Sequence, residues 1–259
     1  MSTSREFPLL QVVNAIAFVV TLATNLIAQF GGINGKTTAQ ISDAYPTLFT
    51  PAGYVFSIWS VIYLLLLVFI VYQFLPSDGD KSYVNKIGWL FALSCAANVI
   101  WLFLWHYEMV VASVALMLVL LVSLILIYLR LDIGKTKVSR RHWLTVHLPL
   151  SVYLGWITVA TIADVASALV SVNWGGFGIA GAVWADIMIV VALVVALAMI
   201  TLRKDIPYAL VIAWAAAGIF VKQGAEQSIA IVSGGSAVII LGVSALVVIG
   251  LLDRIFRTH

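Results

Sequence analysis

Runs of about 20 apolar residues recur along the whole chain, parted only by short polar breaks, and no other feature limits the fold as much. A helix needs about 20 mostly apolar residues to cross the hydrocarbon core of a bilayer. Inside that core a backbone must satisfy its own hydrogen bonds, which a helix does within one segment. The chain therefore reads as an all-α integral membrane protein of about eight transmembrane helices, over roughly 8–30, 53–75, 84–106, 108–130, 147–170, 179–202, 207–222 and 228–252. Composition agrees: 63% of its 259 residues are hydrophobic and 10% charged, where a soluble domain carries about a quarter charged residues.

Lys and Arg gather in the short loops that stay in the cytoplasm. With eight spans and an inner N-terminus, Arg5, Lys81, Lys86, Arg130, Lys135, Lys137, Arg140, Arg141, Arg203, Lys204, Arg254 and Arg257 all fall inside. Of the 14 basic residues only Lys36 and Lys222 are left outside. Both termini are then expected to be cytoplasmic, and a wrong span count would scramble the segregation. The first apolar region is longer than the 7–15 residues of a secretory leader, which fits a prokaryotic cytoplasmic (inner) membrane. The formal charge of +3 is explained by topology, so no nucleic-acid partner is expected. The single Cys95 excludes a disulfide within one chain.

The longest outer break, Gly31 to Ala52, reads as an ordered loop and a candidate lid. Beneath it the spans carry groups that do not belong in lipid, where an Asp costs about 2.5–3.5 kcal/mol at a helix centre. Counting along the spans places Asn25, Gln29, Trp59, Asn98, Trp101, Trp105, Asp164 and Asp186 in the outer half or near its centre, as if around a pocket. Two plainer readings stay open. Asn14 and Asn25 can be hydrogen-bonding glue between helices, and Trp89, Trp143 and Trp174 suit an interfacial belt. Trp101 and Trp105 share a helix face, with Trp101 about a turn deeper than a belt requires. Asp164 and Asp186 each need a wet cavity, a partner or a proton. The nearest basic residue, Lys222, stands four residues before Glu226, where the two can pair. His106 and His147 lie at opposite ends of their spans without a second ligand, so no metal is assigned. No phosphate, nucleophile or zinc motif is present.

Three motifs then carry a resemblance. PTLFTPAGYVFSIWSVIY, Pro46 to Tyr63, resembles the first loop and second helix of the TspO/MBR family, the translocator or tryptophan-rich sensory proteins. Pro46, Pro51, Trp59 and Tyr63 fit its pattern, and Phe56 comes one residue late. ANVIWLFLW is similar to the family's Asn-x-x-Trp run at Asn98, Trp101 and Trp105, and LPLSVYLGWITVATIAD to its fifth helix at Tyr153, Trp156 and Ala160. Leu48 and Thr50 replace the family's loop Trp and second Pro, and Asp164 stands where the family has Asn.

The resemblance implies a TspO-like five-helix bundle over 1–170, with its outer loop 31–52, and three additional helices and a cytoplasmic tail over 171–259. It implies an aromatic pocket for porphyrins and other flat hydrophobic ligands, with Tyr54, Trp59, Asn98, Trp101, Trp105, Tyr153, Trp156 and Asp164 as its residues. The expected function is a membrane sensory or binding protein for a porphyrin-like ligand. Its partners are the bilayer and that hydrophobic molecule, with porphyrin a ligand rather than a resident cofactor. Two alternatives stand beside it: a small-molecule or proton-coupled transporter using Asp164 and Asp186, and a light-dependent porphyrin-degrading enzyme. A homodimer stays open, because the small residues from Gly175 to Gly181 allow close helix approach.

Overall fold

The computed structural model describes residues 6–30, 32–75 and 81–257, the first three and last seven of these by helical course only. Arg5, Gly31 and the side chains of Arg254 and Arg257, used above for topology and the loop, lie outside the described residues. Among the described residues the regular elements are all helical: α1 (Glu6–Gln29), α2 (Thr38–Ala44), α3 (Ile58–Phe74), α4 (Ser82–Ile87), α5 (Leu90–His106), α6 (Val110–Arg130), α7 (Arg140–His142), α8 (Leu148–Ser171), α9 (Gly181–Arg203), α10 (Ile206–Lys222) and α11 (Gln227–Arg257). A π turn, Trp143–His147, joins α7 to α8 as one long helix. Among the described residues six helices are long and apolar enough to cross a membrane. The shorter α5 and α10 have 17 residues each, about 26 Å of helix and the lower limit for a span. The protein is an integral membrane protein, and below its two faces are called the loop side, which carries α2, and the basic side.

The expected spans hold, with three local differences. The third is broken, because Gly88 at φ 56° ends α4 and α5 starts afresh at Leu90. The fifth begins earlier, because Ser139 Oγ accepts the His142 N–H and caps a new helix start within the basic loop. The outer loop contains α2, whose Thr37 and Gln40 satisfy each other's backbone N–H groups as a capping box.

Helix α8 is the hub, with α3, α6 and α10 packed on it, while α1 lies on α3 and α5, and α9 on α10 and α11. Apolar residues serve both inside and outside. Ile62, Leu66, Phe69, Met117 and Leu120 are buried, while Leu64, Val122 and Val194 face outward, as lipid permits. Polar side chains turn inward and join helices: Asn14 Nδ2 donates to Gln73 Oε1 (3.2 Å), and Asn25 Nδ2 to Asn98 Oδ1 (2.8 Å). Such bonds contribute on the order of 1 kcal/mol each, and they account for Asn14 and Asn25 without a ligand.

On the basic side one carboxylate ties three helices. Asp205, buried before α10, accepts from Tyr128 Oη of α6 (2.8 Å), Ser151 Oγ of α8 (2.7 Å) and the Tyr208 N–H of α10 (3.2 Å).

Candidate functional site

Four tryptophans from three helices meet under the loop. Trp59 of α3, Trp101 and Trp105 of α5 and Trp156 of α8 line one chamber with Phe56 and Asp164. Their order follows from helical repeat: Trp101 and Trp105, four residues apart, stack with centroids 5.8 Å apart. Trp59 stacks on Tyr63 at 5.5 Å and meets Trp156 edge to face at 6.1 Å. Phe56 abuts Trp156 at 5.9 Å. Rings in these arrangements attract by more than their buried area alone, so the walls are preset.

The chamber's polar groups are few and incompletely used. Asp164 is buried, and its Oδ1 accepts from Ser113 Oγ of α6 (2.9 Å). Asp164 Oδ2, Trp101 Nε1 and Trp156 Nε1 have no partner in the protein. The Trp101 N–H lies near the Asp164 carboxyl without completing a hydrogen bond to it. One unpartnered acceptor and two unpartnered donors thus belong to side chains that line a mostly apolar space, the usual make-up of a small-molecule site. The space itself is small, about 40 Å³, against about 300–1,000 Å³ for pockets that hold drug-sized ligands.

The chamber's cover is α2 and the stretch to Ser57, with Thr38, Ser42 and Pro51 over it. It is fastened from two sides. Trp105 Nε1 donates to Thr38 O (3.3 Å), while Lys36 and Tyr45 both bind Glu108 in the α5–α6 turn. From α10, the Gly218 carbonyl accepts the Ala52 N–H (3.1 Å), and Trp214 Nε1 donates to Val55 O (3.2 Å). Lys222 pairs with Asp43 (2.6 Å). This corrects the expected Lys222–Glu226 pair: the longer-range partner on α2 prevails. Gln223 Nε2 adds bonds to the carbonyls of Thr47 and Thr50.

The Glu108 clamp makes the cover acid-sensitive. Hydrogen bonds from Lys36 and then Tyr45 hold the Glu108 carboxyl below its ordinary 4.5. With a folded value below the unfolded one, the clamp is fully present above pH 4.5 and is lost as pH falls through the lowered value. A nitroxide at Ala44→Cys is expected to gain mobility below pH 4.5, and already at neutral pH in Glu108→Gln.

Among the residues singled out from sequence, Trp59, Trp101, Trp105, Trp156 and Asp164 line the chamber. Asn98 and Tyr153 sit one layer deeper, with Asn98 Nδ2 3.5 Å from Tyr153 Oη and Tyr153 edge-on to Trp59 at 6.2 Å. Tyr54 is half exposed and turns away, against Trp214 of α10 at 5.4 Å. Asp186 does not line the chamber; it is half-buried on α9, its Oδ1 unpartnered. Missed from the sequence were Ser113, the partner of Asp164, and the α10 face formed by Trp214, Gly218 and Lys222. Their spacing of four was a visible signal of a shared face.

Comparison with known proteins adds one finding. Neither the curated proteins nor the solved structures contain a match to this chain. A family model described as TSPO-like protein matches residues 11–247, from α1 into α11 and so through all eight long helices. With nearly the whole chain covered and the tryptophan motifs gathered around one chamber, the protein belongs to the TSPO-like family.

Proposed function

We propose that the protein is a membrane binding or sensory protein whose chamber takes a flat, hydrophobic, porphyrin-like ligand from the outer half of the bilayer. One observation carries the reading: four tryptophans and an incompletely bonded Asp164 converge beneath a fastened cover. Tryptophan faces stack on flat rings, and a pyrrole N–H suits the free Asp164 oxygen. Because the chamber of about 40 Å³ is too small for a tetrapyrrole, binding on this reading includes lifting the cover. Occupancy then changes the loop-side surface, which a sensor requires. The basic side is the cytoplasmic side of a prokaryotic inner membrane, with both termini there, since short Lys- and Arg-rich loops stay inside. Residues 1–170 supply the chamber, and 171–259 supply the helix that fastens its cover.

Coupled transport by Asp164 and Asp186 draws less support, since only Asp164 reaches the chamber. Titration of the purified protein in detergent with protoporphyrin IX, followed by tryptophan quenching, tests the binding reading. Saturable binding is expected, weakened about tenfold in Trp101→Phe/Trp156→Phe, as two aromatic contacts at about 0.5–1.5 kcal/mol each imply. Absence of saturable binding would refute it. Illumination of the complex distinguishes a degrading enzyme, which forms product, from a binder, which does not.

A further inference from the structure

Helix α8 has two working faces. Ala160, Ala163, Asp164 and Ser167 face the chamber, while Ile162, Val165, Ala166 and Leu169 face a separate cleft of about 690 Å³. The opposite wall is the first two turns of α9, and Pro46 to Phe49 form the roof. Trp174 and Trp184 line the cleft together, 5.3 Å apart. The cleft opens where α8 and α9, although consecutive, are barely packed together, α9 leaning on α10 and α11 instead. Their connection carries Asn173 and Phe177 in the left-handed region, at φ 53° and 55°. Both walls belong to the loop-side ends of membrane-spanning helices.

Its chemistry is selective. No charged side chain lines it. The wall's hydroxyls are already engaged: Thr161 Oγ1 donates to Ile157 O (2.7 Å), and Thr47 Oγ1 is bonded to Thr50 Oγ1 (2.8 Å). Trp184 Nε1 donates to Gly176 O (3.0 Å). A carboxylate placed here would give up water and receive no cation in return, whereas apolar surface is welcome. The volume falls within the range of about 300–1,000 Å³ that accommodates drug-sized molecules, and the two indoles offer ring faces to an aromatic or polyene guest. We propose that the cleft between α8 and α9 is a second binding site, taking a neutral, hydrocarbon-rich molecule with a flat ring system from the loop-side leaflet. Its wall residues differ from those of the chamber, so the proposal stands whether or not the chamber binds a porphyrin.

The test compares two probes with one ring system, 1-pyrenebutanol and 1-pyrenebutyrate. Each is titrated into the full-length protein in phosphatidylcholine nanodiscs and read by energy transfer from tryptophan to pyrene. Gly181→Phe fills the cleft from α9: a Cβ there meets no heavy atom within 4 Å, so the backbone need not shift. Ala166→Phe fills it from α8, and a thermal melt of each variant establishes that it is folded. The alcohol is expected to show a saturable signal above linear partitioning, at least tenfold weaker in the filled variants and for the carboxylate. A linear signal alone, or a saturable one that a folded filled variant retains in full, overturns the site. Equal binding of the two probes overturns its preference for neutral ligands.

Discussion

Replacing Asp205 with Ala is expected to destabilise the protein by about 3–5 kcal/mol. The loss has separable parts. Removing the carboxylate strips the cap from α10, worth about 0.5–2 kcal/mol. It also leaves the Tyr128 and Ser151 hydroxyls without the acceptor they share, at about 1–3 kcal/mol for each buried group left unsatisfied. With a fall in Tm of about 2–4 °C per kcal/mol for a chain somewhat smaller than this one, the melting point in detergent should drop on the order of 10 °C. Asp205→Asn keeps an acceptor and should lose less than half as much. The pH dependence separates the two further. Burial raises the Asp205 carboxyl above its ordinary 3.8, against the opposing hydrogen bonds of Ser151 and Tyr128. A raised folded value means that the native state favours the proton, so this contribution is greatest at low pH. It declines as pH climbs from 3.8 through the raised value. The slope should appear in the wild-type melting profile and vanish in Asp205→Asn; a slope retained by Asp205→Asn would assign it to another group.

Depth was legible in the sequence, and direction was not. Counting along apolar runs fixes how far a residue lies from a membrane face, and it placed Trp59, Trp101, Trp105 and Asp164 at one level, where the chamber is, while Trp156 came only from the family resemblance. The same count placed Asp186 at that level, yet each residue advances about 100° around a helix, and α9 points this carboxylate elsewhere. Tyr54 failed for a different reason. It belongs to the 3₁₀ turn Gly53–Ser57 that precedes α3, so the helical spacing that relates Trp59 to Tyr63 does not extend back to it. α2 went unread within the outer loop, although Thr37 and Gln40 have the spacing of a capping box. The partners of α10 were out of reach because no local pattern specifies contacts such as Lys222 with Asp43, 179 residues apart. The loop-to-helix fastening is a product of tertiary packing alone.

That fastening makes Gly218 the position at which a single methyl group should do most to the chamber. Here α10 approaches the loop so closely that a Cβ would lie 2.1 Å from Val55 Cγ2 and 3.2 Å from Pro51 Cβ. Pro51 lines the chamber, Val55 is fully buried, and the Gly218 carbonyl holds the Ala52 N–H between them. Gly218→Ala is therefore expected to push the loop outward, at about 1–3 kcal/mol for overpacking, and Gly218→Leu further. The helix itself should gain from losing a glycine, by about 0.5–1 kcal/mol relative to Ala, so the net loss of stability is smaller than the displacement of the loop suggests. The two effects are measurable apart. Melting temperature reports the net, while a nitroxide at Ala44→Cys reports the cover, and its mobile fraction should rise several-fold in Gly218→Ala. If ligand entry requires the cover to lift, the same variant should accelerate porphyrin association. A loop as immobile as in the wild type, with unchanged association, would mean that Val55 yields by rotating its side chain and that α10 does not control access to the chamber.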